Sequence, residues 1–142
     1  MHRFHASLAV LTLGAFAAIA PAALAEVISM KVELKGSNEV PPIDTKASGN
    51  ATLTYDTTSK RLSWKITYSG LSGTAAAAHF HGPAQLNQTA KVALPIPNIS
   101  ANTQGFATLT DAQAADLLAG RYYINVHTAA NKGGEIRGQV MR

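Results

Sequence analysis

The sequence predicts an all-β domain, an antiparallel β-sandwich or barrel with one short helix. Most segments after Glu26 alternate apolar and polar residues with the period of two that a half-buried strand requires. Polar turn residues separate these segments. No series of helices alternates with the strands, as a parallel α/β sheet would require, so the strands are expected to pair antiparallel.

Residues 1–25 have the three regions of a cleavable secretory signal in their usual order. Arg3 charges the N-terminal end, residues 8–20 form an apolar run, and residues 23–25 (Ala-Leu-Ala) supply a small-x-small cleavage pattern. As a helix the apolar run would span about 20 Å, which is too short for a hydrocarbon core of about 30 Å. We therefore expect a secreted or periplasmic protein whose mature domain covers residues 26–142 and contains no membrane span.

The first three strands have the clearest alternation. In residues 27–35 the even-numbered positions are apolar and are expected to face the core: Ile28, Met30, Val32 and Leu34. Residues 51–55 and 62–68 repeat this pattern. The segment 56–60 (Asp-Thr-Thr-Ser-Lys) between them is typical of a hairpin turn, because Asp and Ser side chains can bond the turning backbone.

The rest of the chain predicts one helix and four further strands. The helix spans residues 110–119, where Thr110 and Gln113 have capping-box spacing and Gly120 provides a C-terminal stop. The proline-containing segments 39–43 and 94–98 are expected to be extended connections or edge segments, because proline lacks the N–H group that a central strand donates. The further strands are predicted over residues 74–81, 104–109, 121–127 and 134–141, and the predicted core contains Trp64, Ile66, Phe80, Leu109, Ile124, Val126 and Ile136.

Composition and charge argue against several classes of function. The chain has 12 Lys+Arg against 8 Asp+Glu, and removal of Arg3 with the signal lowers the net charge from +4 to +3. The basic residues are scattered and form no patch, so nucleic acid is not an expected partner. The cysteine count is zero, which excludes disulfides, a thiol nucleophile and a thiolate metal site.

No recognisable catalytic machinery is present in the sequence. The segment 70–73 (Gly-Leu-Ser-Gly) lacks the spacing of a nucleophile elbow. Asp111 and Asp116 are five residues apart on the predicted helix, so they do not share a face as paired acid and base carboxylates would. Glu135 and Arg137 share one face of the last predicted strand, where they either pair with each other or reach neighbouring strands. Such an ion pair would be structural and would contribute little if exposed.

Three histidines of the mature domain form a candidate metal-binding set. His79 and His81 are two residues apart on one predicted strand, so both imidazoles leave the same face with Cα atoms about 6.6 Å apart. His127 ends a second predicted strand. Three neutral imidazoles suit Cu(II) or Zn(II), and a water molecule, Asn125 or Glu135 would complete the coordination. The alternative is that the three rings are structural and bond to turn backbone.

These motifs resemble the chordin (CHRD) domain family. The resemblance is carried by residues 78–84 (Ala-His-Phe-His-Gly-Pro-Ala), by residues 123–139, and by residues 34–42 (Leu-Lys-Gly-Ser-Asn-Glu-Val-Pro-Pro). Lys132 stands where members of the family often have proline. The resemblance implies an extracytoplasmic, immunoglobulin-like β fold and no established catalytic activity.

Two functions remain open from the sequence. In the first, the protein is an exported, non-catalytic binding module that holds copper or zinc through His79, His81 and His127. Copper-dependent redox chemistry would be an extension of this function. In the second, it is a structural or protein-interaction module of the envelope or the extracellular space that binds no metal. The partner is accordingly a metal ion or an extracytoplasmic protein.

Overall fold

Eight antiparallel strands form one sheet that curves into a nearly closed barrel in the computed structural model, which describes residues 24–142. The predicted signal peptide lies outside this description, apart from Leu24 and Ala25. The elements are β1 (Val27–Lys35), a 3-10 turn (Gly36–Asn38), β2 (Ser48–Asp56), β3 (Arg61–Ser69), β4 (Ala75–His81), β5 (Val92–Pro95), β6 (Asn102–Thr108), α1 (Asp111–Leu118), β7 (Tyr122–Thr128) and β8 (Ile136–Val140). Across the sheet the strand order is β5-β4-β7-β8-β1-β2-β3-β6.

The alternation of apolar and polar residues in the sequence corresponds to an alternation of buried and exposed side chains in the strands. In β1 the residues are alternately exposed and buried along the whole strand, with the four predicted apolar positions inside. All seven residues predicted for the core are buried, and none is more than 4% exposed. The predicted fold class, an antiparallel β architecture with one short helix, is therefore confirmed.

The predicted hairpin turn is present, and the two proline-containing segments lie outside the central strands. Asp56 Oδ1 accepts hydrogen bonds from the backbone N–H groups of Thr58 at 2.8 Å and Ser59 at 2.9 Å, which closes the turn between β2 and β3. Pro95 ends β5, an edge strand of the sheet, where the missing N–H group costs no ladder bond. The proline segment 39–43 connects the 3-10 turn to β2 and belongs to no strand.

The helix begins and ends at the predicted signals. Thr110 and Gln113 form both hydrogen bonds of the capping box at the start of α1. Leu117 is fully buried and fixes the helix to the barrel. Gly120 follows the helix with a φ of 70°, in the left-handed region that favours glycine, and the chain then enters β7.

Trp64 packs against residues of two other strands of the barrel, Phe80 and Gly105. Its ring, on β3, packs edge-to-face against Phe80 of β4, with ring centroids 5.2 Å apart. On the neighbouring strand β6, Gly105 lies opposite Trp64 in the register. A Cβ atom at position 105 would lie 2.8 Å from the indole ring, so glycine is required for β6 to pair beside this tryptophan.

β7 is buried on both faces, which the polar character of its odd-numbered residues did not predict. Tyr123 is 3% exposed and Asn125 is 2% exposed. The loop between β4 and β5 covers Tyr123, whose hydroxyl group bonds to the backbone of Ala90. Glu39, from the connection before β2, approaches the amide of Asn125. Tyr123 and Asn125 therefore lie between the sheet and a second layer of loops.

The carboxylate of Glu135 accepts hydrogen bonds from three separate segments of the chain. It is fully buried and accepts hydrogen bonds from Thr45 Oγ1 at 2.7 Å, Thr128 Oγ1 at 2.8 Å, and the hydroxyl and backbone N–H of Ser72 at 2.6 and 2.9 Å. Burial alone would raise the pKa of Glu135, but these hydrogen bonds outweigh it and lower the pKa to about 2.

Glu135 and Arg137 form no ion pair with each other, and each reaches neighbouring segments, which is the second of the two expected arrangements. Glu135 precedes β8, and its oxygens bond to hydroxyl and N–H groups, whereas Arg137 lies within β8 and stacks on Tyr123. Both residues are buried, at 0% and 2% exposure.

Replacing Glu135 by glutamine is expected to lower the free energy of unfolding by about 3 kcal/mol at pH 7, because hydrogen bonds to a buried charge are lost. The folded pKa lies below the usual 4.5, so the carboxylate contributes its stability above pH 4.5 and loses it as the pH falls toward about 2. The variant should lack this acid-dependent loss. Urea denaturation at several pH values measures both effects.

The matched control is Glu33→Gln, since Glu33 is exposed and its carboxylate pairs with Lys35 at 2.8 Å. An exposed pair contributes at most about 1 kcal/mol. Equal destabilisation by the two substitutions would contradict the role assigned to Glu135.

Candidate metal centre

The pairing of β4 with β7 brings the three predicted histidines together. In the antiparallel register His79 lies opposite Asn125, His81 opposite Tyr123, and Ala77 opposite His127. His79, His81 and His127 each offer one ring nitrogen, and these three atoms lie within 4.8 Å of one another. The predicted convergence of the three histidines is therefore present, and we call this group the histidine cluster.

Two backbone carbonyls fix the tautomers of the cluster. His81 Nδ1 lies 3.0 Å from the carbonyl oxygen of Ala90, and His127 Nδ1 lies 2.9 Å from that of Lys132. A carbonyl can only accept, so both Nδ1 atoms carry hydrogen and both Nε2 atoms present lone pairs. Metal-binding histidines commonly donate the other ring N–H in this way, which orients the ring and raises its basicity.

The ring of His79 is fixed by a hydrogen bond to another member of the cluster. His79 Nδ1 lies 3.1 Å from His127 Nε2. Since the tautomer of His127 makes its Nε2 an acceptor, His79 Nδ1–H donates this hydrogen bond when both rings are neutral. The centroids of the two rings are 5.0 Å apart, and that of His79 is 5.4 Å from His81.

Burial favours the neutral, ligand-competent form of the rings. His81 is 8% exposed, whereas His79 and His127 are partly exposed, so the cluster is open to solvent on one side. Burial lowers the pKa of His79, and the charges of His127 and His81 lower it further. Burial also lowers the pKa of His81, although the bond to Ala90 acts in the opposite direction.

Asn125 adds an oxygen atom beside the cluster. Its Nδ2 group donates to the carbonyl of Gly133 at 3.1 Å, which fixes the orientation of the amide. Its Oδ1 atom is buried and has no hydrogen-bond partner, and the same holds for His81 Nε2. The Asn125 amide is near enough to His81 to raise the pKa of that ring. Two unpartnered acceptors are therefore buried on the paired strands β4 and β7.

Glu39 is a polar residue of the site that the sequence analysis did not single out. It is 6% exposed, and its Oε1 atom also has no hydrogen-bond partner. Burial raises the pKa of Glu39 to about 7, although Arg137 and the Asn125 amide act in the opposite direction. The available signal was an acidic residue next to the apolar, proline-containing run Val40 to Ile43.

A stack of rings extends from the cluster toward β8. The ring of Tyr123 on β7 is parallel to that of His81 on β4, with centroids 4.9 Å apart and an interplanar angle of 3°. The guanidinium carbon of Arg137 on β8 lies 3.5 Å from the centroid of the same tyrosine ring. Glu135, which the sequence allowed as a further metal ligand, lies outside this group and directs its carboxylate to Ser72 and its neighbours.

Comparison with known proteins gives one match. The model of the family described as CHRD domain matches residues 30–140, which include all three histidines and extend from β1 through β8. No curated protein and no solved structure matches the chain.

We expect His81 and His127 to be Nδ1–H tautomers at neutral pH, and the pKa values of His79 and His81 to lie below the usual 6.5. Long-range ¹H–¹⁵N correlation spectra, recorded as a function of pH with a chelator present, measure both quantities. An Nε2–H tautomer at His81, or a pKa for that ring above 6.5, would contradict the geometry described above.

Proposed function

The chain belongs to the CHRD domain family, and on this premise we propose that it is an exported, non-catalytic binding module that holds one copper or zinc ion through His79, His81 and His127. CHRD domains are typically extracellular and serve as protein-interaction modules. Within the described residues, no helix has the length and apolar character needed to cross a membrane.

The observation that carries the proposal is the pair of unpartnered acceptors, His81 Nε2 and Asn125 Oδ1. The bond to Ala90 places hydrogen on the other nitrogen of His81, and the bond to Gly133 turns the amide nitrogen of Asn125 away. Neither atom can donate to the other, and a buried polar atom without a partner costs about 1–3 kcal/mol. A cation between them would satisfy both.

The donor set favours a borderline transition metal. Three imidazole nitrogens and one amide oxygen suit Cu(II) or Zn(II), whereas Mg²⁺ and Ca²⁺ prefer all-oxygen sites. Two metal–nitrogen bonds of about 2.0 Å hold their nitrogens at most about 4 Å apart. The nitrogen atoms of the histidine cluster lie within 4.8 Å of one another, so binding needs side-chain shifts of no more than about 1 Å.

The second candidate function is a structural or protein-interaction module that binds no metal, and one contact favours it. The hydrogen bond from His79 Nδ1 to His127 Nε2 satisfies both atoms with no ion present. An ion that takes both nitrogens must break this bond. In this alternative the rings fix the loops after β4 and β7, and the protein acts through a protein partner.

Calorimetric titration of the mature protein with copper and zinc separates the two functions. We expect one ion per chain with a Kd below about 1 µM. Each of His79→Ala, His81→Ala and His127→Ala should weaken binding by more than about 100-fold, because loss of a group that only hydrogen-bonds to a metal ligand already costs about 10–100-fold. Acid should also weaken binding, since a protonated imidazole cannot act as a ligand.

The Asn125→Ala variant tests the oxygen ligand, with an expected loss of about ten-fold. Its matched control is Asn50→Ala, because Asn50 is exposed on β2, away from the histidine cluster, and should leave affinity unchanged. Micromolar or weaker binding by the wild type, or an affinity unchanged from the wild type in all three histidine variants, would establish the metal-free alternative.

Export with cleavage after Ala25 is part of the proposal. Among residues 24–142, Glu26 is the first whose backbone bonds to the barrel: its carbonyl accepts from Thr57 N at 3.0 Å and its N–H donates to Thr57 Oγ1 at 3.1 Å. Intact-mass measurement of secreted protein should therefore give a chain that begins at Glu26. A membrane-bound product that retains Met1 would contradict this expectation.

A further inference from the structure

β6 is one of the two edge strands of the sheet, and among the described strands it pairs only with β3. At the two ends of this pairing, Tyr68 N donates to Ala101 O at 3.1 Å, and Leu109 N donates to Lys60 O at 2.8 Å. Since the backbone groups of a strand point alternately to its two sides, the odd-numbered residues of β6 bond to β3. The even-numbered residues therefore direct their N–H and C=O groups away from the sheet.

The outer edge of β6 is open. Among the described residues, none bonds to the backbone N–H or C=O groups of Gln104, Phe106 or Thr108. All three residues are exposed, and Phe106 is 59% exposed. The guanidinium carbon of Arg61 on β3 lies 3.7 Å from the centroid of this phenylalanine ring and covers one of its faces. The edge therefore combines unbonded backbone groups with an exposed aromatic ring.

The other edge of the sheet is less suited to strand pairing. Directly after β5, Ile96 N donates to Ala78 O of β4 at 3.0 Å, so the odd-numbered residues Ala93 and Pro95 point outward. Pro95 has no N–H group, and the carbonyl group of Ala93 accepts a hydrogen bond from Gln113 Nε2 of α1 at 3.4 Å. Of the two edges, that of β6 is therefore the one with a run of open positions.

β6 has none of the features that commonly keep edge strands apart. Its sequence, residues 102–108 (Asn-Thr-Gln-Gly-Phe-Ala-Thr), contains no charged residue and no proline. Its register with β3 is continuous and has no bulge. Natural proteins use charges, prolines and bulges to prevent edge-to-edge pairing. Two copies of this strand can therefore meet without like-charge repulsion and without a missing donor.

We infer that β6 pairs antiparallel with β6 of a second copy of this chain, which gives a dimer with two-fold symmetry. When Asn102 lies opposite Thr108 of the second copy, Gly105 lies on the two-fold axis. Gln104 then lies opposite Phe106 of the second copy, and each open N–H group meets an open C=O group. The two Phe106 rings lie diagonally across the axis, with Cβ atoms about 7–8 Å apart, within reach of each other.

A second copy fits this edge better than an unrelated strand. An antiparallel pair of identical strands is self-complementary, and it uses the open edge of both chains, so that assembly stops at two copies. Each copy also covers the exposed Phe106 of the other. A charged partner would find no opposite charge on β6. The inference goes beyond the proposed metal site, since none of the three histidines of the cluster lies on β6.

Sedimentation equilibrium of the mature protein, with a chelator present, tests the dimer without a contribution from a metal. Pairing of one edge strand buries less surface than a standard interface, so we expect a Kd of about 10–100 µM. Backbone hydrogen exchange locates the contact. The even-numbered amides of β6 should be protected only at concentrations above this Kd, whereas the odd-numbered amides, which donate to β3, should be protected at every concentration.

Phe106→Glu should weaken dimerisation by at least about ten-fold, because the change occurs twice in a symmetric dimer and places two carboxylates near the axis. Arg61 balances the new charge within each chain, so the monomer should remain folded. The matched control is Thr52→Glu, which should dimerise like the wild type. Thr52 is exposed on β2, lies between Lys31 and Lys65 in the register, and is separated from β6 by β3.

A chain that stays monomeric at about 1 mM would overturn the inference, as would equal Kd values for the two glutamate variants. Protection of the even-numbered amides that does not change with concentration would also overturn it. A monomer whose even-numbered β6 amides are protected by the peptide Lys-Thr-Val-Thr-Val-Thr-Lys would assign the edge to a foreign strand instead.

Discussion

One buried carboxylate organises the end of the barrel that holds the histidine cluster. Glu135 has no cationic partner within 4.0 Å among the residues described, and four hydrogen bonds from hydroxyl and N–H groups stabilise its charge. These bonds join the connection before β2, the connection between β3 and β4, and the end of β7. Its backbone N–H also donates to Val126 at 2.8 Å, next to His127. The strand end that presents His127 is therefore fixed by a residue that lies outside the histidine cluster.

The strands of the barrel place the side chains of the histidine cluster, and the loops determine their hydrogen bonding. The register of β4 and β7 sets which side chains meet, because antiparallel pairing places His79 opposite Asn125. The loops set what those side chains can do, since carbonyl groups of Ala90 and Lys132 decide which ring nitrogen holds hydrogen. The same loop layer buries Asn125, so its Oδ1 atom lies in the interior without a hydrogen-bond partner from the protein.

Much of the fold follows from the sequence, and part of the site does not. The alternation of apolar and polar residues along β1 identifies its inner face, and the capping box of Thr110 and Gln113 identifies the start of α1. Both patterns depend only on residues that are close in sequence. The meeting of His79 and His81 with His127 also follows from strand parity and pairing. The burial of the second face of β7 does not, since it depends on loops without periodicity. For the same reason, neither the approach of Glu39 to Asn125 nor the stacking of Arg137 could be predicted.

The packing of Trp64 gives this chain an internal optical probe. The sequence contains one tryptophan, so its fluorescence arises from a single buried environment. The indole ring contacts Phe80, which projects inward from β4 between two histidines that project outward. A change in the position of β4 alters the surroundings of that ring directly. Emission from the unlabelled protein therefore reports on the strand beneath the cluster as well as on unfolding.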